Sequence, residues 1–176
     1  MTDTNFEDEK QRLLRGGFTI FAGQESALQE LTRDLEKKIQ SLYIMIADTA
    51  GQPILQRGEL DKNKLLALGS VVAGDLAASQ ETARIIGQYE SYQLIIREGL
   101  ESNLFISEIG KELVLLCLVP TRTPLGWSRL LVKESAKQIA EIISTPENEI
   151  DSLDIGFDDE KLAELYGDSL SSIWNG

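Results

Sequence analysis

The sequence predicts an α+β sandwich built on a five-stranded antiparallel sheet of order 2-1-5-4-3, with helices laid against it. Three observations carry this. Five short apolar segments alternate in groups, two and then three, with stretches of helical periodicity. Two of the five, Tyr43–Ala47 and Leu113–Val119, are apolar without alternation, as expected for strands covered on both faces. A third, Gln52–Arg57, contains Pro53 and so belongs at an edge, because proline donates nothing to a ladder.

Residues 1–25 form an N-terminal extension that leaves two readings open. Glu7–Arg15 reads as a short helix broken at Gly16-Gly17, while Phe18–Phe21 reads as an added strand or as a packing strap. The first helix is expected to start at Ser26, an N-cap with Gln29 at the capping-box position. Leu28, Leu31, Leu35, Ile39 and Leu42 then give it one apolar stripe. Strand Tyr43–Ala47 follows, and Asp48-Thr49-Ala50-Gly51 places Asp and Gly where a type I turn favours them.

Asp61 caps a long helix running to about Gly87, with Leu65, Leu68, Val72, Leu76, Ala83 and Ile86 on one side. Gly69, Ala73, Gly74, Ala77 and Ala78 keep much of the remainder small. Three strands follow: Tyr92–Arg97, Leu104–Ile109 and Leu113–Val119. Gly110-Lys111 supplies a two-residue turn between the last two. After a proline-bracketed loop, Thr123 and Pro124 start a last helix that uses Leu125, Val132, Ala136, Ile139 and Ile143. With the two most apolar strands adjacent at the centre, the hairpins fix the order of the rest. Strand Tyr92–Arg97 becomes an outer edge without proline and with one charge near its end, a poor guard against pairing with another chain. Two-fold pairing with its own copy covers it most simply.

Composition narrows the function. The chain has 176 residues and a formal charge of −12. Residues 146–176 carry nine acids against Lys161 alone, which is −8 and leaves −4 for the rest. Nucleic acid and anionic membrane surfaces both need a basic face, so neither is an expected partner. No apolar run is long enough for membrane insertion, the acidic N-terminus is unlike a secretory signal, and a lone cysteine suits a reducing cytoplasm.

There is no histidine, no Walker-type phosphate loop and no G-x-G-x-x-G. Cys117 lies in an apolar run and reads as a core thiol, Gly16-Gly17 and Gly23 read as turns, and Asp158-Asp159 reads as solvated charge. No catalytic residue, cofactor site or metal site is expected.

The order of elements resembles the Roadblock family, named for a dynein light chain and including bacterial Mgl-type gliding regulators. Over roughly residues 26–145, the residues that carry the resemblance are Ile44-Met45-Ile46-Ala47-Asp48-Thr49-Ala50-Gly51-Gln52-Pro53-Ile54, the small-residue helix Leu65–Ile86, and Val119-Pro120 with Pro124-Leu125-Gly126-Trp127-Ser128-Arg129-Leu130. Pro124-Leu125-Gly126 stands where family members usually show an Asn-Leu-Gly-like step.

The resemblance implies a Roadblock/profilin-like sandwich, with the long helix on one face of the sheet and the first and last helices on the other. It implies a homodimer through the long helix (Leu68, Val72, Leu76) and the edge strand (Tyr92, Leu94, Ile96). It also implies a non-catalytic module that binds a Ras-like small GTPase as activator or scaffold. Asp75, Ser79, Gln80, Thr82 and Arg84 are the helix residues placed to meet that partner. An arginine-finger role for Arg84 has no support from the local sequence. A structural subunit of a larger complex, without GTPase control, is the alternative. In the acidic tail, residues 146–176, the spacing of Leu162, Leu165, Tyr166, Leu170, Ile173 and Trp174 predicts one side of a helix, for docking on its own domain or on a partner.

Overall fold

Strands Tyr43–Asp48 (β3) and Leu113–Pro120 (β7) lie side by side at the middle of the sheet, with Ile44 opposite Cys117 and Met45 opposite Leu116. Both are covered on two faces, which is why neither alternates in sequence. The computed structural model describes residues 13–15, 18–87 and 94–174. Its remaining elements are two short strands, Leu13–Arg15 (β1) and Phe18–Ile20 (β2), strands Pro53–Arg57 (β4), Leu94–Arg97 (β5) and Ser102–Ile109 (β6), and four helices. The helices are Ala22–Ile39 (α1), Lys62–Ile86 (α2), Leu125–Ser144 (α3) and Asp159–Trp174 (α4).

The main sheet runs β4-β3-β7-β6-β5 and is antiparallel throughout. Leu113, Leu115, Cys117 and Val119 face one core with Leu28, Leu31, Leu35 and Ile39 of α1 and Val132 and Ile139 of α3. Val114 and Leu116 face the other, with Val72 and Leu76 of α2. The long helix therefore covers one face alone, while α1 and α3 share the opposite face with a 3-10 segment, Glu147–Ser152, and with α4.

Several boundaries differ from the sequence expectation. Helix α1 begins at Ala22, not at Ser26. The cause is Gln24, which is buried: its Oε1 accepts the Phe21 N–H at 3.1 Å, and its amide donates to the carbonyls of Ile142, Ile143 and Thr145 at the end of α3. One side chain thus starts one helix and caps another, and Gly23 is helical instead of a turn. The same helix ends at Ile39 with Gln40 left-handed (φ +51), so Leu42 falls off the stripe and is exposed.

Pro124, not Thr123, holds the cap position of α3; the Thr123 hydroxyl donates instead to the Ile39 carbonyl at 3.0 Å. The β6–β7 loop has three residues, Gly110–Glu112, with Ile109 paired to Leu113 and Gly110 left-handed (φ +59), where two residues were expected. Leu13–Arg15 is a strand paired to Phe18–Ile20, not the end of a helix, and this hairpin stays outside the main sheet. Gly16-Gly17 lies outside the described residues.

Candidate functional site

Helix α2 begins as its sequence dictates. Asp61 accepts the Lys64 N–H at 3.0 Å, which also holds the Asp61 carboxyl below its ordinary range, and Gly87 closes the helix in a left-handed turn (φ +76). The helix seats on the β3–β4 turn, where the Gly51 N–H bonds the Asp48 carbonyl at 2.9 Å and the Asp48 carboxylate accepts the Gln52 N–H at 2.8 Å. There Gly69 meets Gly51 backbone to backbone: a Cβ on Gly69 would lie 1.9 Å from the Gly51 carbonyl oxygen. Glycine at position 69 permits a contact that no side chain allows.

Seating α2 so closely decides which residues are left for a partner. Val72 (0% exposed) and Leu76 (4%) are spent on the sheet and Leu68 is half-buried there, so these three do not offer the dimer surface expected of them. The helix's large apolar residues in solvent are instead Leu66, Val71, Ile85 and Ile86. Ile86 thereby leaves the core side on which periodicity placed it. Ala67, Ser70, Gly74, Ala77 and Ala78 are exposed as well, so the outward face is uncharged from Leu66 to Gly74 and again over Ala77 and Ala78. Periodicity marks the face with most large apolar residues, which here is the core face; the cue for the outward face was the unusual absence of charge opposite it.

Beside α2, β5 has β6 as its one strand neighbour among the described residues. Leu94 and Ile96 are half-buried and pack toward the α1/α3 core, while Ile95 packs toward α2. Tyr92 falls outside the described residues. Arg97, the charge at the end of the edge, pairs with Asp75 of α2 at 2.7 Å. Asp75 is thus committed within the chain and largely covered.

Among the other expected partner residues, Ser79 is half-buried, Gln80 donates to Glu108 at 3.2 Å, and the Thr82 hydroxyl bonds the Ala78 carbonyl at 2.8 Å. Arg84 is exposed but held by Glu81 through both ends of its guanidinium. That contact holds the Glu81 carboxyl below its ordinary range and pushes Arg84 further up.

The tail docks on its own domain. Gln138 clasps Gly156 in both directions: its Oε1 accepts the Gly156 N–H at 2.8 Å and its amide donates to the Gly156 carbonyl at 3.2 Å. Asp34 accepts the Phe157 N–H at 2.7 Å, and Phe157 and Ile150 are buried. Leu162 and Leu165 pack on the same core, and Tyr166 stacks on Trp127 with ring centres 5.2 Å apart. Trp174 ends α4. Asp158, expected to be merely solvated, caps α4 by accepting the Lys161 N–H at 2.7 Å.

A cleft of about 520 Å³ opens on the α3 side, lined by residues including Ser107, Ile109, Lys133, Lys137 and Leu165. It does not involve α2. Cys117 is fully buried, which pushes its thiol far up, and among the described residues no three acids or thiols gather as a metal site. Among them, too, no helix is long and apolar enough to cross a membrane.

No family model and no curated protein matches the sequence. Solved structures do. The MglB of Myxococcus xanthus superposes with a TM-score of 0.60 at 27% identity, over 69% of this chain and 95% of that one. This is a Roadblock fold. The gliding protein MglB of Thermus thermophilus gives a TM-score of 0.62 at 24% identity, over 70% of this chain and 93% of its own. A Roadblock/LC7 domain from Streptomyces avermitilis shares the Roadblock fold at 14% identity and a TM-score of 0.56, over 62% of this chain and 94% of its own. Within the Roadblock fold, the likeness to MglB agrees with the Mgl-type resemblance of the sequence.

Proposed function

We propose that this chain is a non-catalytic Roadblock module of the cytoplasm that forms a homodimer and binds and regulates a Ras-like small GTPase. The observation that carries the reading is the outward face of α2, where Leu66, Val71 and Ile85 stand exposed among small residues beside an edge strand. Such a face and such an edge are each costly to leave in water, and together they suit a second copy. The dimer residues are accordingly Leu66, Val71 and Ile85 with the edge of β5, in place of Leu68, Val72 and Leu76. The likeness to MglB supports the GTPase as partner, through the Mgl-type resemblance. Gln80, Thr82 and Arg84, exposed near the end of α2, are the side chains offered to it. The module occupies roughly residues 26–145, with α1 entering from Ala22 and the tail packed upon it from Ile150 to Tyr166.

The test is binding of the purified chain to candidate Ras-like GTPases loaded with GDP or with a non-hydrolysable GTP analogue. The expected result is a clear preference for one nucleotide state. Equal affinity for both removes the regulatory role, since a ligand without preference shifts no equilibrium.

A further inference from the structure

At the end of the sheet where β3 begins and β7 ends, three leucines stand in solvent: Leu42 is 51% exposed, Leu125 37% and Leu100 100%. A leucine wholly in water would be ordinary on a slack loop. The loop that carries Leu100 is tied down. The Gly99 N–H donates to Asn103 Oδ1 at 3.3 Å, the Thr121 N–H donates to the Glu101 carbonyl at 3.0 Å, and the Thr121 hydroxyl reaches the carbonyls of both Leu100 and Glu101. Gly99 has no room for a Cβ, which would lie 2.5 Å from the Ser102 carbonyl.

The same network ties together the three segments that carry these leucines. The Leu42 N–H bonds the Leu118 carbonyl at 2.8 Å, Arg122 donates to Gln40 at 3.2 Å, and Thr123 ties the start of α3 to the end of α1. Leu42, the end of β7 and Leu100 therefore occupy three adjacent strand ends, a span of about 10 Å, close to the width of one helix. Glu98 and Glu101 flank Leu100, and Glu59 follows Gly58, which packs on the Leu42 carbonyl. All three acids are exposed, and none makes an ion pair among the described residues. Arg122 is a cation within the set, turned toward Gln40.

We propose that this end of the sheet binds a basic amphipathic helix of a partner protein, with Leu42, Leu100 and Leu125 taking its apolar face and Glu59, Glu98 and Glu101 its cations. Apolar anchors ringed by unpaired acids are the recognition chemistry such a helix requires. The site does not use the outward face of α2 and does not depend on the GTPase reading.

The experiment uses the full chain and two labelled 18-residue peptides that share a leucine face, one with lysines and one with glutamates on the polar face. Fluorescence anisotropy should show binding of the lysine peptide, weakened by salt, and none of the glutamate peptide. Leu100→Ser should weaken binding about tenfold or more, the loss expected when one leucine is no longer buried. A Glu98→Gln/Glu101→Gln pair should flatten the salt dependence.

Because the acidic tail also attracts cations, backbone amide shifts must localise the peptide to residues 40–42, 98–101 and 121–126. Shifts confined to 146–174, or an affinity unchanged by Leu100→Ser, overturn the proposal. If Leu100→Ser lowers the oligomeric state while peptide affinity stays constant, the surface is a contact between copies and the proposal fails.

Discussion

A single methyl group placed twice along α2 should act with opposite sign. At Gly69 the new Cβ lies 1.9 Å from the Gly51 carbonyl oxygen, and ordinary contact begins at 3.4 Å, so helix and turn must separate by 3.4 − 1.9 = 1.5 Å. Gly51 cannot yield easily: it is left-handed (φ +85) and its own missing Cβ would meet Gly69. Val72 and Leu76 ride on the same stretch of helix, and a gap of this size forfeits much of their dispersion contact with the sheet. Overpacking of this kind costs about 3 kcal/mol, the upper part of its usual range. For a chain of this size that is roughly 6–12 °C in Tm. At Gly74 a Cβ meets nothing within 4 Å, so Gly74→Ala should gain up to about 1 kcal/mol of helix propensity, or roughly 2–4 °C. Circular dichroism melts at one fixed protein concentration measure both, the concentration held because self-association would make Tm depend on it. A Gly69→Ala variant melting within about 2 °C of the parent would refute the claim that backbone contact seats α2.

Other substitutions test the remaining parts. Val71→Asp puts a charge on the outward face of α2 and should give a folded monomer in light scattering, whereas an unchanged dimer moves the interface elsewhere. Leu94→Lys should lower stability as well as weaken any dimer, because Leu94 also packs toward the α1/α3 core; intact Tm with lost dimer would show that the edge role dominates. Gln138→Leu removes both bonds to Gly156, so hydrogen exchange at Gly156 and Phe157 should rise by an order of magnitude or more while β7 stays protected. Asp61 has a folded-state pKa below its ordinary value, so its stabilisation is present above about pH 4 and is lost as pH falls through the depressed value. Denaturation of Asp61→Ala should therefore differ from the parent at pH 7 and converge with it toward pH 2.

The sheet was legible because its rules are local. Pro53 marks one edge, the non-alternating runs at Tyr43 and Leu113 mark the centre, and the hairpins order the rest. Asp61 and Gly87 bound α2 by their own chemistry. What escaped depends on partners distant in sequence. Gln24 starts α1 four residues early because carbonyls 118 to 121 positions away need its amide. Thr123 looks like a cap and serves the end of another helix. The burial of Val72 and Leu76 escaped for a related reason: they keep helical periodicity because they are core, and periodicity is silent about what an uncharged opposite face does. The tail's leucines were visible as one side of a helix, but the clasp of Gln138 on Gly156 had no sequence signature at all.

That clasp has an electrical consequence. Residues 146–176 hold −8 of the chain's −12, and Gln138 and Asp34 fix the start of that segment on the face formed by α1 and α3. Loosely tethered, the same charge would be smeared around the molecule; bound down, it gives the protein a negative back and a nearly uncharged front on the outward side of α2. An approaching acidic protein feels a torque before any contact forms, turning the negative face away and α2 toward it, and the effect fades over about 10 Å at ordinary salt. The tail can thus bias how a partner arrives without touching it.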